Sequence, residues 1–314
     1  MIGRRDFLAG LSATGLAAGC ATSGAAPPVG GTIYAPAPPA TPLHALNLQL
    51  GEALAREGLA RWRMEPLALP ESVNRAAALP DAQRTLTLPI VTTADFVLAR
   101  SGSGPDWHGY DQARQDLLFV STLYDVGFGF EVADPAIRAP TDLAGRAVAV
   151  PPRPSAVRMM SEALVDAGWN IAGVHFVDTT PPQAARMLAS GEVAASAWNL
   201  ILPGTDGFAP MLPSPPGSRW LPVEPDAIAA MNAASGFRLG GFAHPGHGAI
   251  VSFAQALSAW VDTPAATLAA MLAAIARHGP VMAGLPGDRE GMLRWPGLVE
   301  AEIHPAARAF HAPA

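Results

Sequence analysis

The 314-residue sequence contains no lysine: its 20 basic residues are all arginine, set against 26 acidic ones for a formal charge of −6. No basic block occurs anywhere, which excludes the clustered cations of a nucleic-acid footprint. A single cysteine excludes a disulfide framework and any cysteine-rich zinc or iron–sulfur centre. Charged residues are only 15% of the chain, yet no stretch reads as a membrane span. The least charged candidate, Leu239 to Val261, is interrupted by two His, a Pro, a Gln and several Gly. What the chain has in quantity is apolar residues, 50%, with 31 Gly and 32 Pro. That much Gly and Pro approaches a low-complexity composition, but the apolar half can bury a core. At this length single cores stop growing, so two lobes are expected.

The N-terminus reads as an address. Arg4 and Arg5 precede an uncharged run from Phe7 to Gly19 that is too short to span a bilayer, and Cys20 ends it. The Arg pair followed by Asp6-Phe7-Leu8 resembles a twin-arginine export signal. Leu16-Ala17-Ala18-Gly19-Cys20 resembles a lipobox, with Leu one place earlier than usual. Residues 1–19 are therefore expected to be a signal peptide and Cys20 the lipidated first residue of the mature chain. Residues 20–31 would be a flexible tether, the start of a stretch rich in Ala, Gly, Pro, Ser and Thr. This predicts a membrane-anchored periplasmic lipoprotein.

The mature chain alternates strand and helix signals. Thr41-Pro42 reads as a cap and first helical residue, with Leu43, Leu46 and Leu50 at helical spacing. Strands are expected at Trp62 to Leu69, Leu86 to Val91, Leu117 to Tyr124, Gly127 to Val132, Arg146 to Val150, Val174 to Val177, Val193 to Leu202 and Trp220 to Val223. Helices are expected at Glu71 to Leu79 with Ser72 near its cap, from Thr93 or Asp95 to Arg100, from Ser155 to Ala167, at Pro181 to Ser190, and after Asp262 or Thr263. This rhythm predicts an α/β fold with mainly parallel sheets.

Asp142-Leu143-Ala144-Gly145-Arg146-Ala147-Val148-Ala149-Val150, then Arg153-Pro154-Ser155, then Gly191-Glu192-Val193-Ala194-Ala195 follow one another in an order that resembles the TAXI family. These are solute receptors of TRAP (tripartite ATP-independent periplasmic) transporters. Ile303 to Ala307 resembles the family's His-Pro-Gly-Ala tail, and Leu118 to Tyr124 fits its strand leading into a Leu-Tyr pair. The resemblance implies a type II periplasmic-binding-protein fold, two lobes with a hinge between them. Lobe 1 would take residues 32–132 and 223–314 and lobe 2 residues 133–222, with crossings near Val132 and Val223. It also implies capture of a small solute, a carboxylate or an amino acid, for a membrane permease. The departures are Pro-rich loops where the family has Gly, at Ala35 to Pro39 and Pro151 to Pro154, and Ala194 in place of an Asp.

Ligand contacts are expected at the loops where strands lead into helices. In the second lobe these are Arg153, whose planar fork suits a carboxylate, and Ser155 with Ala156 at a helix N-terminus that presents unpaired N–H groups. The equivalent first-lobe positions are Thr41, Ser72, Thr92 and Thr93, each equally explicable as a helix cap. Trp198 and Asn199 offer a ring and an amide. No catalytic residue, cofactor or metal is expected. His244 and His247 lack a third ligand, and neither a nucleophile elbow nor a phosphate loop is present. Two other readings stay open: a receptor-like lipoprotein with a degenerate site serving as sensor or scaffold, and an enzyme on the same scaffold related to thiamine-precursor synthases.

Overall fold

The computed structural model describes residues 30–37, 41–110, 112–202, 209–210, 214–244, 248–278 and 289–312. The signal segment with Arg4, Arg5 and Cys20, and His247 of the two-histidine motif, lie outside the described residues.

The chain opens with β1 (Thr32–Ala35), α1 (Pro42–Leu54), β2 (Arg63–Pro66), α2 (Glu71–Ala77), α3 (Asp81–Arg84), β3 (Thr87–Thr92) and α4 (Thr93–Ser101). Thr41 caps α1 by accepting from the His44 N–H at 3.2 Å, and Pro42 holds the first helical position, where a missing N–H costs nothing. Next comes β4 (Leu117–Val132), a single strand of 16 residues where the sequence suggested two. Asp125 and the glycines after it look like punctuation in the sequence. In the structure Gly127 and Gly129 give room: a Cβ there would meet Ile250 at 2.6 Å and Trp220 at 2.9 Å.

The middle of the chain is β5 (Ala147–Val150), α5 (Ala156–Ala163), β6 (His175–Asp178), α6 (Pro181–Ser190), β7 (Ala195–Ile201) and the short β8 (Ala209–Pro210) and β9 (Arg219–Trp220). α5 widens into a π turn over Leu164–Gly168. The remainder is α7 (Pro225–Ser235), β10 (Gly240–His244), β11 (Gly248–Trp260), α8 (Ala265–His278), α9 (Arg289–Met292) and α10 (Pro305–His311). His304 caps α10, its Nδ1 accepting from the Ala306 N–H at 3.1 Å.

The main strand path runs β2-β1-β3-β11-β4-β7-β5-β6. β2, β1 and β3 are parallel, as are β7, β5 and β6. The two parallel groups are joined by the antiparallel pair β11 and β4, so the hydrogen-bonded path is continuous. β11 meets β3 through Gln255–Leu257, and β4 meets β7 through Val126–Glu131. Both long strands thus serve both halves, which is why they are apolar nearly throughout. Phe119, Phe128 and Phe130 of β4 are fully buried, each contributing about 1.5–3 kcal/mol of hydrophobic burial.

Candidate functional site

Residues at or just beyond the ends of β1, β2, β3, β5 and β6 meet at one cavity of about 550 Å³. Open α/β sheets place ligands in this position, beyond the carboxyl ends of their strands, and the size lies within the roughly 300–1,000 Å³ of small-molecule pockets. Six prolines contribute to the wall: Pro36, Pro66, Pro151, Pro152, Pro154 and Pro181. Leu43, Leu67, Leu69, Val157 and Phe253 add apolar surface. A second depression, of about 690 Å³, is lined by Glu290, Leu293, Arg294, Trp295 and Pro296. It lies away from the strand ends.

Of the residues singled out in the sequence, Thr41, Thr92, Ser155, Ala156, Trp198 and Asn199 line the cavity together. Ser155 stands at the N-cap of α5 but its hydroxyl makes no hydrogen bond to the helix. The expected structural cap is therefore absent. Ala156 and Val157 follow in the first turn, where backbone N–H groups have no intrahelical acceptor. Three other residues are placed elsewhere. Ser72 lies inside α2, because Pro70 takes the N-cap position, and it is fully buried away from the cavity. Thr93 is buried behind the wall, where its hydroxyl accepts from the Ala254 N–H at 3.3 Å and ties α4 to β11.

Arg153 is the third correction. Its guanidinium donates to Glu162 at 2.6 Å and stands 4.5 Å above the Trp107 ring. Glu162, on α5, also accepts from Arg158 at 2.6 Å. A carboxylate already in place thus competes for the charge expected to meet the solute, and Arg153 does not line the cavity. Its contact with Trp107 instead links the loop before α5 to the segment after α4. With the side chain 47% exposed, that cation–π contact is worth about 0.5–1 kcal/mol. Replacing Arg153 by Ala should therefore weaken solute affinity by no more than roughly fivefold, as expected of a lost inter-segment contact. A direct charge-assisted bond to solute predicts instead a loss of roughly tenfold to a hundredfold. Isothermal titration of the two proteins separates the cases.

Sequence reasoning missed Gln255, Thr179 and Thr180. Gln255 sits on β11 opposite both Thr92 and Tyr124, beside an irregularity in the ladder at Gln255/Ala256. Such breaks re-aim side chains. It is only 3% exposed, and its Oε1 has no hydrogen-bond partner. Trp198 Nε1 and Asn199 Oδ1, both on β7, are likewise buried and unpartnered. Buried polar atoms are nearly always bonded; these three belong to residues of the cavity wall, and other such atoms occur elsewhere among the described residues. Gln255 was legible in principle: it is the one amide in the apolar run Phe253 to Trp260.

Behind Thr92 lies a fully buried polar cluster. Thr92 Oγ1 donates to Asp95 and accepts from the Asp95 N–H at 3.0 Å. The other Asp95 oxygen is 2.7 Å from His108 Nε2 and accepts from the Tyr110 hydroxyl at 3.2 Å. Burial, the first cause, and then the Asp95 carboxylate hold the Tyr110 phenol well above its ordinary value. Tyr110 therefore remains a proton donor. The cluster fixes the rotamer of Thr92 and with it one corner of the cavity.

The fold can be compared with solved structures. R. palustris Rpa4515 with adipate superposes with a TM-score of 0.50 at 16% identity, over 82% of this chain and 89% of that one. A structure described as a periplasmic transporter gives 0.50 at 13% identity over the same shares. The fold is the two-lobe α/β fold of periplasmic binding proteins. No family model and no curated protein matches the sequence. Among the described residues no helix is long and apolar enough to cross a membrane, and no group of three His, Cys, Asp or Glu could hold a metal.

Proposed function

We propose that the protein is an extracytoplasmic receptor whose two lobes close over a small solute and deliver it to a membrane permease. One observation carries this reading: a 550 Å³ cavity at the strand ends of both parallel groups, with Trp198 Nε1, Asn199 Oδ1 and Gln255 Oε1 buried and unpartnered. The described lining contains no His, Cys, Asp or Glu. It therefore offers a means of holding a molecule, but no imidazole, carboxylate or thiol that would activate its Ser and Thr hydroxyls, which favours a receptor over an enzyme. The likeness in fold to a protein solved with adipate supports the same reading.

The lobes are proposed to meet along β4 and β11, with residues 133–222 forming the centre of the second. The return to the first lobe, expected near Val223, is proposed to lie within β11. α7 packs against the turn Leu164–Gly168, whereas Gln255–Leu257 of β11 pair with β3. The TRAP-type permease and the TAXI subfamily are proposed from the motif order Asp142 to Ala195. The lipid anchor at Cys20 and twin-arginine export are proposed from the N-terminal sequence. Labelled palmitate should enter the wild-type protein and not the Cys20→Ser variant. With Arg153 engaged by Glu162 and Trp107, a carboxylate solute would be held by the helix N-termini at the cavity and by uncharged donors such as the Ser155 hydroxyl.

The direct test is a thermal-shift screen of the mature protein against small acids, amides, amines and sugars. A solute that binds the folded state at 100 times its Kd should raise stability by about 2.7 kcal/mol. A screen without a single shift speaks against the receptor reading.

A further inference from the structure

We propose that the solute is an amphiphile, an apolar body carrying one polar head, a carboxylate or carboxamide. The head is held at the start of α5 and the body lies against residues 36–69. The proposal deepens the receptor reading and rests on it. The cavity is built unevenly. Residues 36–69 contribute Pro36, Leu43, Pro66, Leu67 and Leu69 to its wall. Pro36 and Pro66 have no N–H to offer a solute, and the N–H groups of Ala37 and Leu67 both go to the Ala35 carbonyl, at 2.8 and 3.2 Å. Thr41 brings the one side-chain hydroxyl of that described wall, and its Oγ1 already accepts from the His44 N–H. Phe253 of β11 adds to the apolar surface.

The side chains able to donate come from other elements. α1, α4, α5 and α6 all begin at the cavity, and three of them have first-turn donors already engaged or missing. Thr41 and Thr92 accept from the N–H groups of His44 and Asp95, and α6 begins with Pro181 and Pro182, which have none. α5 is the exception. The Ser155 hydroxyl bonds nothing in its helix, the first-turn N–H groups lack intrahelical acceptors, and the helix dipole favours the oxygens of a head placed there. Asn199 on β7 and Gln255 on β11 add side-chain amides, each with an NH2 group that can donate twice. Thr179 and Thr180 direct their protons to the Val150 carbonyl and to Gln183, at 3.1 and 2.9 Å, so towards a solute they only accept. A carboxylate uses the donors alone, and a carboxamide uses both kinds. An ammonium head finds no carboxylate in the described lining.

The two parts of the cavity suit two parts of one molecule. A second charged or strongly polar group, at the far end of a diacid for example, would give up its water against the prolines and leucines of residues 36–69 with no side-chain donor to replace it. Apolar carbon gains in the same place, because each methylene removed from water there tightens binding by up to about fourfold. The length of the apolar body, rather than the number of polar groups, therefore sets affinity.

The test is isothermal titration with straight-chain acids from butyrate to octanoate, the matching amides and amines, and phenylacetate and phenylbutyrate. Succinate, adipate, glutamate and glucose form the polar set. Affinity should rise about two- to fourfold with each added methylene in the acid or amide series. Hexanoate or hexanamide should bind roughly tenfold or more tightly than adipate, and hexylamine should bind least. Ser155→Ala should weaken every member of the series by one factor, roughly two- to tenfold for one hydrogen bond, without changing the dependence on chain length. Leu67→Gln should do the reverse, flattening that dependence while butyrate or butyramide binds as in wild type. Ala68→Asn, at an exposed position of the same wall, repeats the test if Leu67→Gln does not fold. Affinity independent of chain length, or tightest binding by an amine or a member of the polar set, would overturn the proposal and leave the receptor reading standing. Binding by none of these molecules would overturn both.

Discussion

Replacing Asp95 by Ala should destabilise the protein by about 3–5 kcal/mol, because three buried polar groups lose their shared acceptor at about 1–3 kcal/mol each. Asp95 and His108 are both fully buried, and the carboxylate is the shared acceptor of Thr92, His108 and Tyr110. Its loss orphans three polar groups at once in a place water does not reach, and the desolvation penalty of each remains. The Nδ1 of His108 has no partner to begin with, so the cluster has no spare bond to fall back on. Urea denaturation followed by tryptophan fluorescence measures the change. A second variant, Asp95→Asn, keeps an acceptor oxygen and should recover part of the loss. If Asp95→Ala stays within about 1 kcal/mol of wild type, the cluster is not the support of the cavity corner at Thr92.

This cluster also shows what the sequence could and could not reveal. Asp95 is legible as a residue of a helix start, and Thr92 does cap α4. Nothing in the spacing says that His108 and Tyr110, from a loop after the helix, fold back onto it, since that contact is set by packing. Helix α6 was legible to the residue, Pro181–Ser190, because Thr180, two prolines and Gly191 punctuate both ends. α7 and the crossing strand β11 were not assigned from the sequence. A strand that runs through the middle of a sheet, paired on both edges, carries few polar or turn residues to mark its register. The cavity followed the same division. Its helix-cap residues were found by their caps, while Gln255 and Thr179 lie where strands cross or end without a cap signal. Arg153 was misread because local sequence shows its charge and not its partner Glu162, nine residues along.

Replacing Ala156 by Trp should abolish solute binding, by roughly a hundredfold or more in Kd, equivalent to about 2.8 kcal/mol, while leaving the fold intact. Ala156 is the first residue of α5, half-buried, and lines the cavity beside Ser155 and Val157. An indole projecting from that turn enters the space the solute would occupy and covers the backbone N–H groups of the helix start. The helix itself loses at most about 0.7 kcal/mol of propensity, so the melting temperature should fall by no more than about 3 °C. Binding and stability therefore separate at this position, in contrast to Asp95, where stability carries the effect. Titration with a solute from the screen, alongside calorimetric melting, reads both quantities on one sample. Retained affinity in Ala156→Trp would move the binding site away from this cavity. Lost affinity with a large drop in melting temperature would show that the site has no room for the ring, and Ala156→Leu, a smaller obstruction, then decides whether occupancy alone excludes the solute.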